Sequence, residues 1–315
     1  MSLTTPVAFF IFNRPDVTRA VFDEIAKARP ATLLVIADGP RSLEERSICE
    51  EARAVIDEVN WPCEVTTQYS ERNMGCKNRI SSGLNWVFSQ YDEAIILEDD
   101  CVPEPSFFSF CERMLAYYRL DERVAMITGT NYLLDQLNVP ESYVFSRYFS
   151  IWGWATWKRA WDKYDVSLSD WEDLKAAGQI RGFYSQPFMQ DFVTANFDQV
   201  YQGKIDTWDI QWTYSCLFDS SVCVVPRVNL ISNIGTVGHH SSGQDRNHFK
   251  PIFALDTTTL HHPRRVFPDQ RYDGPFFKQQ FQPPSPPWFP IRAARAVRRR
   301  LQAFLRDKKS WLLNR

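Results

Sequence analysis

Ala94-Ile95-Ile96-Leu97-Glu98-Asp99-Asp100 decides the fold: an apolar run ends abruptly in three carboxylates and then turns through Cys101, Val102 and Pro103. A continuous run of Ile and Leu predicts a central strand buried on both faces, as in a parallel sheet. Three adjacent acids do not suit such a strand. Their repulsion and desolvation are costly unless a cation or hydrogen-bond donors meet them. The cluster therefore reads as a site at the carboxyl edge of a sheet, where open α/β folds bind ligands. The bland alternative is an acidic, solvated turn.

The chain before this stretch repeats strand and helix. Pro6 to Phe12 is apolar and ends in Asn13-Arg14-Pro15-Asp16, where Asn13 is expected to cap and Pro15 to start a helix with Val17, Val21, Ile25 and Ala28 on one face. Ala31 to Ala37 is a second strand ending in Asp38-Gly39-Pro40, followed by a charged helix with Ile48, Ala52, Val55, Ile56 and Val59 inward. Glu64 to Gln68 is a weaker third strand, and Ile80, Leu84, Val87 and Phe88 mark the next helix. This alternation predicts a mostly parallel sheet with helices on both faces. Parallel strands bring their ends to one edge, so Arg14, Asp38 and the acid triplet converge. Neither a Walker A sequence nor a G-x-G-x-x-G fingerprint is present, which argues against a P-loop NTPase or an NAD-binding Rossmann domain.

After the triplet, Phe107, Phe108, Cys111, Leu115 and Tyr118 predict a helix and Val124 to Thr128 a strand. Regular alternation then gives way to a segment rich in Trp, Tyr, Asp and Ser, residues 131 to 220, containing Trp152-Gly153-Trp154 and Trp208-Asp209. Val222 to Val225 is a short strand, and Asn233 to Gly243 reads as a flexible loop carrying His239 and His240.

The length of 315 residues and 44% hydrophobic content suffice for a sizeable core. Seven cysteines without a C-x-x-C pair argue against a disulfide framework or structural zinc and for reduced, cytoplasmic thiols. The N-terminal apolar run is too short for a signal or membrane span. Charge is uneven. Residues 290 to 315 hold nine Arg or Lys against Asp307, whereas the rest holds 27 basic and 37 acidic residues. Asp273 to Pro290 is Pro-rich and aromatic, read as a semi-rigid linker. In 291 to 315, Ile291, Ala294, Val297, Leu301, Phe304 and Leu305 form an apolar stripe opposed by arginines. Such a helix suits an anionic membrane surface, at the inner face of the membrane, or docking on the acidic body. No recognition module accompanies the charge, so no nucleic-acid partner is expected.

The chemistry of the candidate residues follows from their types. Strand-end acids suit Mg²⁺ or Mn²⁺ bound partly through substrate phosphates, as with a nucleotide diphosphate. Asp38 can accept from a base N–H, and Arg14 can reach base or phosphate through its donor fork. Trp208 beside Asp209 offers an aromatic platform next to a general base; the structural alternative is that Asp209 caps a helix. Trp152, Gly153 and Trp154 combine rings for stacking or core packing with a glycine that lets a ligand approach the backbone. His239 and His240 could ligate metal or contact phosphate.

In their order, these pieces resemble the GT-A glycosyltransferases, and among them the N-acetylglucosaminyltransferase I type, whose acid motif is Glu-Asp-Asp. The resemblance spans roughly residues 6 to 245 and rests on Arg14, Asp38, the helix from Lys77 to Phe88, Ile96 to Asp100, Trp152-Gly153-Trp154, Trp208-Asp209 with Trp212, and the Gly235 to Gly243 loop. It implies a UDP-sugar donor, Mn²⁺ or Mg²⁺, a glycan or lipid-linked acceptor, and inversion at the anomeric carbon. By position, Asp100 would bind metal, Asp99 the ribose or sugar, Glu98 the sugar hydroxyls, Asp38 the uracil and Arg14 the nucleotide. Asp209 would be the base, with Trp208 beside the donor sugar. Asn73, Gly75 and Lys77 would face the nucleotide, and the loop with His239 and His240 would close over the diphosphate. The expected organisation is a donor half at 1–130, an acceptor and catalytic half at 131–272, the linker at 273–290 and the basic helix at 291–315. The relatives implied are bacterial enzymes of surface polysaccharide synthesis. A sugar-phosphate nucleotidyltransferase and a non-catalytic carbohydrate-binding protein are the alternatives.

Overall fold

Unbroken burial, with no alternation, marks the strands that the apolar runs predict. In the computed structural model, which describes residues 3–235 and 249–281, β1 (Val7–Ile11) is buried at every position. It lies between β2 (Thr32–Ala37) and β4 (Glu93–Glu98), parallel to both, and β3 (Glu64–Tyr69) forms the edge beside β2. A short β5 (Cys101–Pro103) follows the acids. The sheet continues through β6 (Val124–Thr128), β7 (Tyr143–Ser146), β8 (Trp154–Trp157) and β9 (Val222–Pro226), in the order β3-β2-β1-β4-β8-β6-β9-β7. Only β8 and β7 run against the other six strands. β10 (Ile231–Asn233) pairs with β5 in a separate ribbon. The fold is thus α/β with a mostly parallel central sheet, as the sequence predicts.

Helices cover both faces. Phe9, Val35 and Leu97 join one apolar cluster with α1 (Pro15–Ala28) and, past α2 (Arg46–Ala54) and α3 (Cys76–Phe88), with α4 (Ser106–Tyr118). On the opposite face Phe10 and Ile36 pack against Gly83 of α3, where no side chain would fit. The irregular middle forms short helices α5 (Lys158–Trp161), α6 (Trp171–Ala176) and α7 (Ile180–Phe183), then the longer α8 (Pro187–Tyr201) and α9 (Asp209–Phe218). Among the described residues, no helix is long and apolar enough to cross a membrane.

Three local expectations are corrected. Asn13 does not cap α1: Arg14 holds that position without a side-chain bond, and the Asn13 amide donates to Glu45 at 2.6 Å. Ile48 is 39% exposed while Cys49 is buried, because α2 turns its Cys49 and Ala52 face inward and becomes a 3₁₀ turn at Val55–Glu58. The linker expected from Asp273 begins inside α10 (Gln270–Gln280), so the half expected to end at 272 continues. Tyr272 and Phe276, one turn apart, are buried, and Asp269 accepts from the Arg271 N–H at the helix start; these gains outweigh Pro275. Asp273, 3% exposed, accepts a bond from the Ser146 hydroxyl at 2.6 Å.

The chain divides into a unit of Met1–Phe276 and a second from Phe277, in which the described residues complete α10. The rest of the linker, the basic stretch 291–315, and His239 and His240 lie outside the described residues.

Candidate functional site

Parallel register carries the ends of β1 and β4 to the same edge, with Phe10 paired to Glu98. Arg14 leaves β1 there and meets the acids that leave β4. Its guanidinium is ion-paired with Asp99 and lies 3.0 Å from Asp100 Oδ2, while its Nε donates to Asp99 Oδ2 at 3.3 Å. A planar fork suits two neighbouring carboxylates better than a point charge would. Asp99 is 3% exposed, and burial pushes its carboxyl up against the opposing pull of Arg14. Glu98 is raised too, by burial first and then by the charges of Asp100 and Asp99. Asp99 and Asp100 thus share one guanidinium, with Glu98 beside them.

Asp209 reaches the same place from the far end of the chain. α9 runs antiparallel to the strands around it because β9, which it precedes, is parallel to β6; its first residue therefore starts at the carboxyl edge. The charge of Asp209 acts on Glu98, on the Cys76 thiol and on Tyr164. The resemblance alone had related Asp209 to the triplet, and the fold brings them together. Asp209 is the first helical residue and not the cap: Trp208 holds the cap position, and the Asp209 carboxylate accepts a bond from the Thr207 hydroxyl.

Several residues have other duties. Asp38 accepts from the N–H groups of Gly39 at 2.8 Å, Met74 at 2.9 Å and Gly75 at 3.2 Å, and from the Asn73 amide at 3.0 Å. Its carboxylate thereby braces the turn after β2 and the loop that starts α3. Burial raises its carboxyl, and those backbone bonds oppose the rise. Asn73 is tied down by Asp38 and by the Gly39 carbonyl, both at 3.0 Å. The Lys77 ammonium has no bonding partner among the described residues, whereas its backbone N–H donates to Asp206.

Trp208 is not a platform. It is 2% exposed and stacks on Trp154 with ring centroids 5.6 Å apart, and Trp154 also packs on Trp212. The tryptophan pair is a core element under the site. Gly153 sits at φ +57°, and a Cβ there would overlap Ile231, so the close approach it permits is protein packing. Trp152 remains half-buried beside Tyr132, lining a surface pocket with Lys250. The antiparallel β8 explains the placement, since Trp154 pairs with Ile96 and the preceding residues sit beside the strand-end acids.

The donor set bears on the expected Mg²⁺ or Mn²⁺. Hard cations take oxygen ligands and often bind through one or two carboxylates plus substrate phosphate. Arg14 already stands as a cation between Asp99 and Asp100. A Cβ on Gly235 would overlap Asp100 Oδ2 and crowd Arg14, so the glycine leaves room for that ion pair, while the other oxygen accepts from the Asn233 amide at 3.2 Å. The oxygen donors of these acids are of the type a divalent ion takes, and such an ion would have to displace Arg14 from Asp99 and Asp100. Among the described residues no three His, Cys, Asp or Glu side chains form a self-contained metal cage. Asn233, Tyr164, Thr207 and Asp206 belong to the surroundings of the site and are absent from the sequence-based set. The Thr207 to Asp209 spacing, typical of a hydroxyl or carboxylate side chain bonding two residues along, was the one available signal.

No protein-family model and no curated protein matches the sequence. Among solved structures, the chain is similar to mouse xyloside xylosyltransferase 1 in its apo form, at 10% identity over 68% of this chain and 81% of that one, with TM-score 0.36. It is also similar to a UDP-glucose pyrophosphorylase complexed with UDP-glucose, at 9% identity over 46% of this chain and 64% of that one, with TM-score 0.26. A third is the 4-diphosphocytidyl-2C-methyl-D-erythritol synthase of Anaerococcus prevotii DSM 20548, at 8% identity over 51% and 75%, with TM-score 0.28. Likeness this distant assigns no activity, so function rests on the chemistry of Arg14, the acid triplet and Asp209.

Proposed function

We propose that the protein is a glycosyltransferase of the GT-A type that moves a sugar from a UDP-sugar to a hydroxyl of a glycan or lipid-linked acceptor, with inversion. The observation that carries this reading is the convergence of two acidic groups of different character at one sheet edge. The triplet, with Arg14 paired to two of its acids, leaves net negative charge that a cation bound with a nucleotide diphosphate would balance, and Asp209, held by Thr207, is a separate carboxylate whose charge reaches Glu98. Transfer in one displacement needs both: a base within reach of the acceptor hydroxyl, and cationic groups for the departing diphosphate. Lys77 and Arg14 supply positive charge from the protein. Asp100, with Asp99, would hold Mg²⁺ or Mn²⁺, which would neutralise charge on the leaving UDP. Trp152 and Tyr132 offer half-buried rings for the acceptor. The closer likeness to the N-acetylglucosaminyltransferase I type, and a role in bacterial surface polysaccharide synthesis, belong to the same proposal.

Replacing Asp209 with Asn keeps the size of the side chain and removes the base. Transfer from a panel of UDP-sugars should fall at least about a hundredfold, the lower end of what a positioned base contributes, with UDP affinity by calorimetry unchanged. Undiminished transfer by D209N would sink the assignment. A nucleotidyltransferase would instead release pyrophosphate from a nucleoside triphosphate, and that product in the same assay would decide for it.

A further inference from the structure

The start of α3 lacks a cap of its own. Gly75 holds the cap position at φ +78°, has no side chain to offer, and the first turn contains no acid. A helix start leaves N–H groups without intrahelical partners and favours negative charge. Here the carboxylate comes from a distant element: Lys77 N–H donates to Asp206 Oδ1 at 3.3 Å, and Asp206 Oδ2 lies 2.6 Å from where a Gly75 Cβ would be. Gly75 is therefore needed both for its backbone conformation and to seat Asp206. The loop just before it is fixed by Asp38, through Met74 and Gly75.

Asp206 stands three residues before Asp209, and the chain between them is tightly held. The Gln211 amide donates to the Thr207 carbonyl at 2.6 Å, the Tyr164 hydroxyl to the Trp208 carbonyl at 3.2 Å, and the Thr207 hydroxyl to Asp209 itself. Trp208 is locked in the tryptophan stack. These bonds make 207–211 rigid with respect to α9. The Asp206 bond is of another kind, because it links that segment to α3, which packs on β2 and β4. The placement of Asp209 over the end of β4 is thereby referred to the helix that flanks the strand.

We propose that Asp206 is a positioning residue that fixes the Asp209 carboxylate against the donor side of the site by bonding the N-terminus of α3. The proposal rests on the reading of Asp209 as the base. The test compares Asp206→Ala with Asp206→Asn in the full chain, since the Asn side-chain oxygen still accepts from the Lys77 N–H while carrying no charge. A misplacement near 1 Å costs up to about a hundredfold, so D206A should lower kcat about 10- to 100-fold with KM for the UDP-sugar within about twofold. D206N should recover most of kcat. Amide hydrogen exchange supplies a readout free of activity: D206A should speed exchange at Lys77 and across 206–210, and D206N should not. Gly75→Ala, which leaves Asp206 intact but fills its seat, should reproduce the faster exchange. Wild-type kcat or unchanged exchange in D206A overturns the proposal, as does an equal loss in D206N with raised KM, which would put Asp206 in direct contact with donor. If the wild-type chain transfers from no UDP-sugar, the proposed function fails, while the exchange comparison still decides whether Asp206 fixes the segment.

Discussion

Arg14→Met isolates the electrostatic centre of the site while keeping much of the side chain's apolar stem. Arg14 is the cationic partner that Asp99 and Asp100 share among the described residues, and the Asp99 side chain is only 5% exposed. Removing one member of a buried pair strands the other charge, at a typical cost of about 3–5 kcal/mol. The guanidinium is 29% exposed and the Asp100 side chain 16%, so water softens the loss. An expected destabilisation of about 2–3 kcal/mol follows from that partial screening. At about 2 °C per kcal/mol for a unit of this size, Tm should drop by about 4–6 °C. The same substitution vacates the oxygens that Arg14 occupies. Mn²⁺ without nucleotide should therefore bind R14M more tightly than wild type, and the ion should raise the Tm of R14M by more than that of wild type, because a ligand of the native state stabilises it by mass action. Scanning calorimetry with and without Mn²⁺, beside a direct Mn²⁺ titration, reads both effects. A wild-type Tm in metal-free buffer would show that the pair does not hold the acids. An identical response of the two proteins to Mn²⁺ would refute exchange between Arg14 and a cation at Asp99 and Asp100.

Two further outcomes concern structure around the site. Gly153→Ala forces an L residue to φ +57° and drives a methyl group into Ile231; left-handed backbone and overpacking together should cost about 2–5 kcal/mol in denaturant unfolding, and a loss below about 0.5 kcal/mol would contradict the geometry. The Glu45 carboxyl, which accepts from Arg41 and Asn13 beside Arg14, is lowered to about 2, with the Arg41 bond as the main cause. A lowered acid contributes stability above its unfolded value and loses it as pH falls toward the folded one. Glu45→Gln should thus cost about 0.5–1 kcal/mol near pH 7 after allowance for the solvent-screened Arg41, and the difference from wild type should vanish between about pH 4.5 and pH 2; a gap that persists into acid would exclude the charge as its cause.

The periodic part of the chain was legible because burial is a local, repeated property. Apolar runs at β1, β2, β4 and β6 could only be central strands, and Ile80, Leu84, Val87 and Phe88 could only be the inner face of a helix. From those strands the convergence of Arg14 and the triplet followed, since parallel neighbours share an edge. Ile48 stays exposed because Cys49 takes the inward place on the same turn, and α10 leaves little trace in the sequence because Pro275 and the prolines that follow mask two aromatic residues one turn apart.

By itself, then, the sequence determined the α/β class, the strand-end edge and the acidic character of the site. Only the tertiary structure decided which side chains meet. The partner of Asp99 lies 85 residues away, that of Asp38 lies 36 away at Met74, and Asp206 meets Lys77 across 129. Trp208 looks like a binding platform in the sequence and is a core residue in the fold, because Trp154 enters on the antiparallel β8 and stacks on it. The reason is physical: hydrophobic burial is nondirectional and leaves a periodic trace along the chain, whereas a hydrogen bond needs two atoms within about 3 Å in one orientation. No local pattern records that meeting, which the register of the strands and the entry of β8 between β4 and β6 bring about.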